Sequence, residues 1–553
     1  MNATVSALSF TSGDQTFRTD RFSYLLCGTA ADAPFRCEGS RWELSEDRAA
    51  VELPELSLRV TRTMRACDGG AEESIEFYNY GEKKLRFSTI KLGWLLPLQE
   101  LTLHAIPFTV QQDGWRHMYS AETLRCGEHF QIVNNRLPEQ PGRYFGNSVY
   151  SDPSRPEPPL CEEGLLRSEA WFWGTERGGL LAAKYNNRDI EYAVAEPVGP
   201  AREELQLGGV GFCLYHEPSA AQELDAGQRF RFGSTFYYQA DDLTRACGLY
   251  RALLDRKGHA LPSDYAPKVH WNELYDIGWY HSDRAALNRS YTLPALLREA
   301  QKAHECGCGA LYLDPGWEFA EGTTFFDYHR LGDETELVKT LREQYGLSLA
   351  IRIILRTYVN YWPDALNAVH TPDGFASACM LPRTIIPSNQ LLYEQCLCNE
   401  PFRKEKERRA DKLAQDGAYF IMLDEMDWRG PCYHPGHGHA RPSTAYEHAD
   451  AVCRLAKHIK NTNHIQVEVH DPVWPWNSAI YTPSYWRQGF SQEGSYQENW
   501  GFEFMWDCIE DLRSGRALSL YYYNLSCSIP LYLHINMAAD NDQCLFLSLI
   551  HIS

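Results

Sequence analysis

Acidic and other polar side chains end several apolar runs in the second half of this 553-residue chain, at positions that core packing alone does not require. Asp314 follows Ala310-Leu311-Tyr312-Leu313, and Asp424 follows a longer run that begins at Ala418. A lone Asp in such a place is most often a helix cap or a turn residue. Convergence of several of them instead favours an active site, because polar strand ends line the sites of (β/α) barrels. The other strand-end candidates are Trp271, Asn272, Arg352, Arg356, Glu468, His470 and Asp471.

Paired carboxylates at strand ends suit glycoside hydrolysis. That reaction needs one ionised carboxylate to attack the anomeric carbon and one protonated carboxyl to release the leaving oxygen. Asp424 follows mostly apolar residues, so its strand is expected to be buried and its carboxylate rigidly aimed, as a nucleophile requires. The loop after Trp486 supplies the candidate acids Glu493, Glu498 and Glu503, and aromatic neighbours there could raise a carboxyl pKa.

Two roles are possible for the two arginines at the end of one predicted strand. Arg352 and Arg356 could bind a carboxylate or phosphate on the sugar. They could equally pair with Asp314 or Asp424, and we favour the pairing. Trp474, just beyond another strand end, suits sugar stacking and core packing equally well.

Cys432, His434, His437 and His439 lie in one Gly- and Pro-rich segment shortly after Asp424. Their types suit a metal, but their spacing is irregular for a zinc motif. The sequence therefore favours a loop that lines a sugar pocket, with His434 or His439 donating to sugar hydroxyls. It predicts no metal site and no cofactor.

The elements that must position these residues fall into three segments. Residues 1–240 contain short alternating runs between turn residues, which predict a large antiparallel β-sandwich. Residues 241–266 predict a helical linker with a helix over Leu243 to Arg256. The clearest predicted strands of the first segment are Val51–Leu53, Leu56–Val60, Glu73–Phe77, Leu180–Tyr185 and Phe230–Tyr238.

Residues 267–553 alternate short apolar strands with helices, which predicts a (β/α)8 TIM-type barrel. About seven strands can be counted and no eighth, and Leu547–Ser553 ends without a closing helix, so we expect a barrel that is incomplete at its C-terminus. The predicted strands are Val269–Asn272, Ala310–Asp314, Ser348–Leu355, Ala418–Asp424, Ile465–Val469, Tyr481–Trp486 and Ile529–Ile535.

Three motifs in this segment, taken in order, resemble the α-galactosidase clan, and especially the large bacterial α-galactosidases of glycoside hydrolase family 36. They are Val269-His270-Trp271-Asn272, Leu313-Asp314-Pro315-Gly316-Trp317 and Tyr419-Phe420-Ile421-Met422-Leu423-Asp424. The resemblance implies an N-terminal β-supersandwich, a (β/α)8 barrel and a C-terminal β domain. It also implies a retaining mechanism in which Asp424 is the nucleophile. Asp314 matches the first Asp of the family's Asp-Asp-Gly-Trp and would contact substrate hydroxyls beside Trp317.

The chain departs from the family pattern at several positions. Pro315 replaces the second Asp of that motif, and Met422 replaces the Lys two residues before the nucleophile. The position of the family's acid/base Asp, counted from Trp486, holds Gly489, so Glu493 or Glu498 would have to serve as the acid. The family's Cys-rich glycine loop is replaced by the segment Glu468–Trp474, in which we expect Glu468, His470, Asp471 and Trp474 to contact substrate.

The composition of the chain limits the classes of molecule that it is expected to bind. The net charge of −20, from 73 acidic and 53 basic residues, disfavours nucleic acid and anionic membranes. We expect no signal peptide, because the first residues lack a charged region followed by an apolar one, and no membrane span, because no apolar run reaches about 18 residues. Its 17 scattered cysteines suggest reduced thiols and a cytoplasmic protein.

The sequence therefore predicts a retaining α-glycosidase that binds an oligosaccharide or glycoside and could form a homo-oligomer. A transglycosylase on the same scaffold and a non-catalytic carbohydrate-binding protein are the alternatives.

Overall fold

The computed structural model describes most of residues 4–125, 167–258 and 264–469, with short gaps inside each range. Residues 126–166 and 470–553 lie outside it. Among the described helices, none is both long and apolar enough to cross a membrane.

Residues before 241 form β-strands joined by turns. The strands are β1 (Thr4–Val5), β2 (Ser9–Ser12), β3 (Gln15–Arg18), β4 (Phe22–Ala30), β5 (Ala33–Gly39), β6 (Glu43–Leu44), β7 (Arg48–Leu53), β8 (Leu58–Cys67), β9 (Gly70–Asn79), β10 (Leu85–Pro97), β11 (Thr102–Val110), β12 (Met118–Ser120), β13 (Leu124–Arg125), β14 (Arg167–Thr175), β15 (Gly178–Tyr185), β16 (Glu191–Val198), β17 (Glu204–Gly211), β18 (Gln222–Leu224) and β19 (Arg229–Ala240).

These strands pair antiparallel, as their alternating sequences predict. The main path of the large sheet runs β5-β4-β10-β17-β16-β14-β15-β19-β9-β8-β7-β6, and β1, β2 and β3 form a small sheet of their own. A buried core under the large sheet contains Leu26, Val60, Ile75, Trp94 and Trp171. The β architecture expected for the first segment is therefore confirmed.

From residue 243 onwards, helices enter and strands alternate with them. The helices are α1 (Leu243–Arg256), α2 (Arg284–Ser290), α3 (Leu293–Glu305), α4 (Tyr328–Leu331), α5 (Glu334–Thr340), α6 (Trp362–Ala365), α7 (Glu400–Asp416) and α8 (Ala445–Asn463), and a π-helical turn (Leu341–Tyr345) extends α5. The strands are β20 (His270–Asn272), β21 (Ala310–Leu313), β22 (Ser348–Ile354), β23 (Arg356–Tyr358), β24 (Ala378–Met380), β25 (Leu391–Glu394), β26 (Ala418–Asp424) and β27 (Gln466–Val469).

Five of these strands form a parallel sheet in the order β20-β21-β22-β26-β27. This order follows the chain and places helices between successive strands, as in a (β/α) barrel. An antiparallel sheet of order β23-β25-β24 is inserted between β22 and α7, where the sequence had indicated an irregular insertion. The two further predicted strands, Tyr481–Trp486 and Ile529–Ile535, lie outside the described residues.

The parallel sheet buries both of its faces, which explains its nearly continuous apolar strands. One face packs on the helices, with Leu311, Ile351 and Ile421 in a core shared with α3, α7 and α8. The opposite face carries a separate cluster that includes Tyr312 and Phe420. Because side chains alternate along a strand, this second face also receives Asp314, two positions after Tyr312, and Asp424, four positions after Phe420.

Candidate active site at the strand ends

Five polar residues meet at the C-terminal ends of four neighbouring strands, on the face opposite the helices. We call them the Arg352 cluster: Asn272, Asp314, Glu321, Arg352 and Asp424. Asn272 ends β20, Asp314 directly follows β21, Arg352 lies near the end of β22, and Asp424 ends β26. Glu321 comes from the loop after β21. The strand alternation that buries Tyr312, Ala350 and Met422 in the layer below brings the cluster to this edge.

Arg352 links three carboxylates. Its Nε donates a hydrogen bond to Oδ2 of Asp424 and lies 3.3 Å from Oδ1 of Asp314. Its Nη1 lies 3.4 Å from Oε1 of Glu321. The guanidinium therefore compensates negative charge contributed by two strand ends and one loop, and it forms the pairing that the sequence favoured.

Asp424 is the most accessible carboxylate of the cluster. Its side chain is 15% exposed, whereas those of Asp314 and Glu321 are 10% and 5% exposed. A carboxylate held by a neighbouring guanidinium but still reachable is what nucleophilic attack on a bound sugar needs.

Asp314 is held from two sides. Asn272 Nδ2 donates to Asp314 Oδ2 at 2.6 Å, and the backbone N–H of Asp314 donates to Glu273 Oε1 at 2.9 Å. The Asn272 amide is itself oriented by the Leu274 N–H, which donates to Oδ1 at 2.8 Å. Asp314 therefore has a fixed orientation beside Arg352.

Glu273 is a buried acid that the sequence reasoning missed. Its Oε1 also accepts a hydrogen bond from the Tyr291 hydroxyl at 2.5 Å, and among the described residues its Oε2 has no hydrogen-bond partner. Burial, and then the charge of Asp314, raise the pKa of Glu273 well above its usual value, so the neutral carboxyl is favoured. Glu273 could have been found in the sequence from its position next to the strand-end residue Asn272.

A tight turn delivers Glu321 to the cluster. The Glu318 carboxylate accepts hydrogen bonds from the backbone N–H groups of Gly322 at 2.8 Å and Thr324 at 2.6 Å. Lys406 of α7 donates to Thr324 Oγ1 at 2.8 Å and to the carbonyl of Gly322, and burial lowers the pKa of Lys406 to about 8. Sequence patterns gave no sign of this support, because it joins a loop to a helix distant in the chain.

Two tryptophans predicted to bind substrate lie in the hydrophobic core. The Trp271 indole N–H donates to Glu299 Oε2 of α3 at 2.9 Å, so this side chain faces the helices. Trp317 is 1% exposed and donates to the backbone carbonyl of Arg352 at 2.9 Å. The structure therefore places Trp271 as a packing residue and Trp317 as a support for Arg352, rather than on a sugar-binding surface.

Arg356 and Glu468 are both buried, but neither is among the five members of the cluster. Arg356 forms an ion pair with Glu394 of β25, with 2.9 Å between Nε and Oε1. Glu468 lies on β27 opposite Met422 of β26, one row below Asp424. The other strand-end and acid candidates lie outside the described part of the chain: His470, Asp471, Trp474, Glu493, Glu498 and Glu503.

No protein-family model matches the chain, and no curated protein matches it. Several solved structures match the chain in fold. An α-N-acetylgalactosaminidase from Bifidobacterium bifidum, in complex with GalNAc, has a TM-score of 0.55 at 14% identity over 98% of this chain and 89% of that one. The galactosidase domain of an α-galactosidase-sucrose kinase has a TM-score of 0.50 at 13% identity, over 91% of this chain and 67% of that one.

A third match is a glycoside hydrolase family 36 α-galactosidase from Geobacillus stearothermophilus in complex with stachyose. Its TM-score is 0.45 at 14% identity, over 76% of this chain, and the chain spans 55% of that protein's length. At these identities the comparisons concern the fold. The resemblance to the α-galactosidase clan that the sequence motifs predict is confirmed at that level.

Proposed function

We propose that this chain is a retaining α-glycosidase in which Asp424 is the nucleophile. The observation that carries the proposal is the Arg352 cluster, where Asp424 is the most exposed of three carboxylates converging at the ends of a parallel sheet. In (β/α) barrels this edge is where catalytic residues gather.

In the proposed reaction, an Asp424 carboxylate oxygen attacks the anomeric carbon while an acid protonates the leaving oxygen. The bond from sugar to aglycone breaks, and a covalent glycosyl ester forms on Asp424. Water then hydrolyses this ester with the same acid acting as base, which returns the α configuration. Arg352 holds the attacking carboxylate, and Glu493 or Glu498 is proposed as the acid/base.

The proposed substrate class is an α-galactoside or a related sugar such as an N-acetylated one. Proteins of this fold include one solved with GalNAc and one described as a galactosidase domain. Asp314, oriented by Asn272, is proposed to accept hydrogen bonds from sugar hydroxyls. Pro315 and Met422 supply no charged group, and Met422 Sδ lies 3.6 Å from the Tyr312 hydroxyl. We therefore propose a sugar preference that differs from that of the family 36 α-galactosidases.

The test is a panel of aryl α- and β-glycosides, including galactosides and N-acetylgalactosaminides, with the anomer of the first product followed by NMR. We expect activity on α-glycosides only, with an α-configured first product. Asp424→Asn should lower kcat/KM by at least about 1,000-fold, because it removes the nucleophile. Asp241→Asn, an exposed Asp in the turn before α1, is the matched control.

Three results separate the alternatives. Transfer of the sugar to an added acceptor in preference to water would identify a transglycosylase. Sugar binding without turnover of any aryl glycoside would identify a carbohydrate-binding protein. Unchanged activity of Asp424→Asn would refute the nucleophile assignment.

A further inference from the structure

A second cluster of reactive side chains lies apart from the Arg352 cluster. Cys396, Cys432, His437 and His439 each offer one ligand atom, and these four atoms all lie within 4.8 Å of one another. Cys396, Cys432 and His437 are buried, and His439 is half-buried. No sequence motif joins them, since Cys396 follows β25 whereas the other three lie between β26 and α8.

We propose that these four residues form a structural zinc site. Zinc bonds of about 2.3 Å to sulfur and 2.0–2.1 Å to nitrogen, arranged tetrahedrally, place sulfur and nitrogen ligands about 3.6 Å apart. The distance from Cys432 Sγ to His437 Nδ1 is 3.5 Å. This pair is therefore spaced as two ligands of one tetrahedral zinc ion, and mutual distances of at most 4.8 Å keep all four donor atoms within reach of a single ion.

The tautomers of both histidines suit metal binding. His437 Nε2 lies 3.4 Å from the Leu366 carbonyl, and His439 Nδ1 lies 2.6 Å from the Ala440 carbonyl. A carbonyl only accepts, so these ring nitrogens carry the protons and the opposite nitrogens carry lone pairs. The nitrogen with the lone pair in His437, Nδ1, lies 3.5 Å from Cys432 Sγ, and that in His439, Nε2, is buried. Metal-bound histidines characteristically donate their other N–H to a carbonyl or carboxylate in this way.

The His439 ring supplies an independent observation. Its Nε2 is buried and has no hydrogen-bond partner among the described residues. Burying such an acceptor without a partner is unfavourable, because it loses the hydrogen bond that water would otherwise give it. A metal ion bonded to this nitrogen would remove the penalty.

Two cysteines and two histidines select zinc among common divalent ions, because thiolate and imidazole suit zinc whereas magnesium and calcium prefer oxygen. Four protein ligands close the coordination sphere, which marks a structural rather than a catalytic site. The site would tie the β23–β25 insertion to the loop that follows Asp424. This assignment replaces two expectations from the sequence, that the chain has no metal site and that His439 donates to sugar hydroxyls.

Hydrogen bonds within the protein already connect the β23–β25 insertion to the loop that follows Asp424. The Cys432 N–H donates to Ser443 Oγ at 2.8 Å, and the His370 N–H points at Cys432 Sγ at 3.5 Å. The Tyr433 N–H donates to the His370 carbonyl at 2.9 Å.

The experiment measures zinc in the full chain, produced without a histidine tag and desalted. We expect about one zinc per chain by elemental analysis. Cobalt exchange should give the thiolate-to-metal charge-transfer band of a tetrahedral site. Cys432→Ser should lose both signals, and His439→Gln should yield its zinc to far less chelator than wild type. Cys308→Ser and His434→Asn, which change residues outside the four ligands, should retain both.

Folding defects do not obscure this test. If Cys432→Ser is insoluble, the chelator titration of His439→Gln against His434→Asn decides. The proposal is overturned if the metal-free wild-type chain takes up neither zinc nor cobalt with a charge-transfer band. It is also overturned if the ligand variants bind metal like wild type, or if Cys396 and Cys432 form a disulfide in the native protein. None of these readouts depends on glycosidase activity.

Discussion

Arg352 and Asp424 lie on neighbouring parallel strands, and Arg352 Nε donates a hydrogen bond to Asp424 Oδ2. In the strand register, Arg352 lies opposite Met422 and Asp424 lies opposite Ile354, so the guanidinium reaches forward along the sheet to the carboxylate. The same guanidinium contacts Asp314. One cation therefore contacts both the proposed nucleophile and the carboxylate proposed to bind sugar hydroxyls.

Replacing Arg352 tests this organisation. Arg352→Met leaves buried carboxylates without their shared cation, and removing one partner of a buried ion pair costs about 3–5 kcal/mol. We expect this cost to lower the melting temperature. Separately, loss of the hydrogen bond that holds the charged Asp424 carboxylate, worth about 1.5–3 kcal/mol, should lower kcat/KM roughly 10- to 100-fold. Arg408→Met, which removes an exposed ion pair of α7 with Glu405, should change neither. Wild-type melting and activity in Arg352→Met would contradict the account.

Asn272→Ala tests the orientation of Asp314. Hydrogen bonds to charged groups contribute about 1.5–3 kcal/mol, so we expect kcat/KM to fall roughly 10- to 100-fold with the fold intact. Asn463→Ala is the matched control, because Asn463 donates to Asp411 Oδ1 at the same 2.6 Å but on α8. Steady-state kinetics on the best aryl glycoside gives the answer. Equal effects from the two variants would show that Asn272 has only a structural role.

Gly322→Ala tests the turn that delivers Glu321. Gly322 has φ of +76°, and a Cβ there would lie 1.4 Å from the Arg356 carbonyl oxygen. We expect poor folding, or a displaced turn with much reduced activity. Gly346 has a similar φ of +69° but nothing within 4 Å of its Cβ position. Gly346→Ala should therefore lower the free energy of unfolding by only about 1 kcal/mol. Equal melting temperatures for the two variants would show that the close contact between Gly322 and the Arg356 carbonyl is unimportant.

Glu334→Gln gives a pH-dependent prediction. Burial, and then the charge of Asp416, raise the pKa of Glu334 to about 9 from its usual 4.5. Because the pKa of Glu334 is higher in the folded than in the unfolded chain, Glu334 does not reduce the free energy of unfolding below pH 4.5. That free energy then falls as the pH rises towards 9. The glutamine stays neutral, so its advantage in melting temperature should be absent near pH 4 and grow up to about pH 9. Glu336→Gln, exposed in the same helical turn, should show no such trend, and an equally flat profile for Glu334→Gln would contradict the assignment.

Much of the fold could be predicted from the sequence, because hydrophobic pattern alone specifies a buried parallel strand. The end of β26 at Asp424 and of β20 at Asn272 agree with the expected bounds, and the helix over Leu243–Arg256 is confirmed. Asp314 and Arg352 also meet Asp424 as strand-end logic predicts. Convergence of strand ends is a property of the sheet, so it needs no knowledge of the loops.

The rest depends on the path of loops and on which face a side chain takes. Trp271 and Asn272 are adjacent, so only one of them can face the site, and the hydrogen bond to Glu299 turns Trp271 towards the helices. Glu321 and Lys406 meet through a turn that no local pattern indicates. Cys396 joins Cys432 across an insertion, so the spacing of the later residues could not reveal a fourth ligand.

The most direct measurement of the central claim is covalent trapping of the nucleophile. A slow-turnover fluorinated α-glycosyl fluoride of the sugar that the aryl glycoside panel selects should form a stable glycosyl ester, detected as one added sugar in the intact mass and located by peptide mass spectrometry. The account predicts a single label on Asp424, and none in Asp424→Asn. A label on another carboxylate, or turnover that inverts the anomeric configuration without any ester, would contradict it.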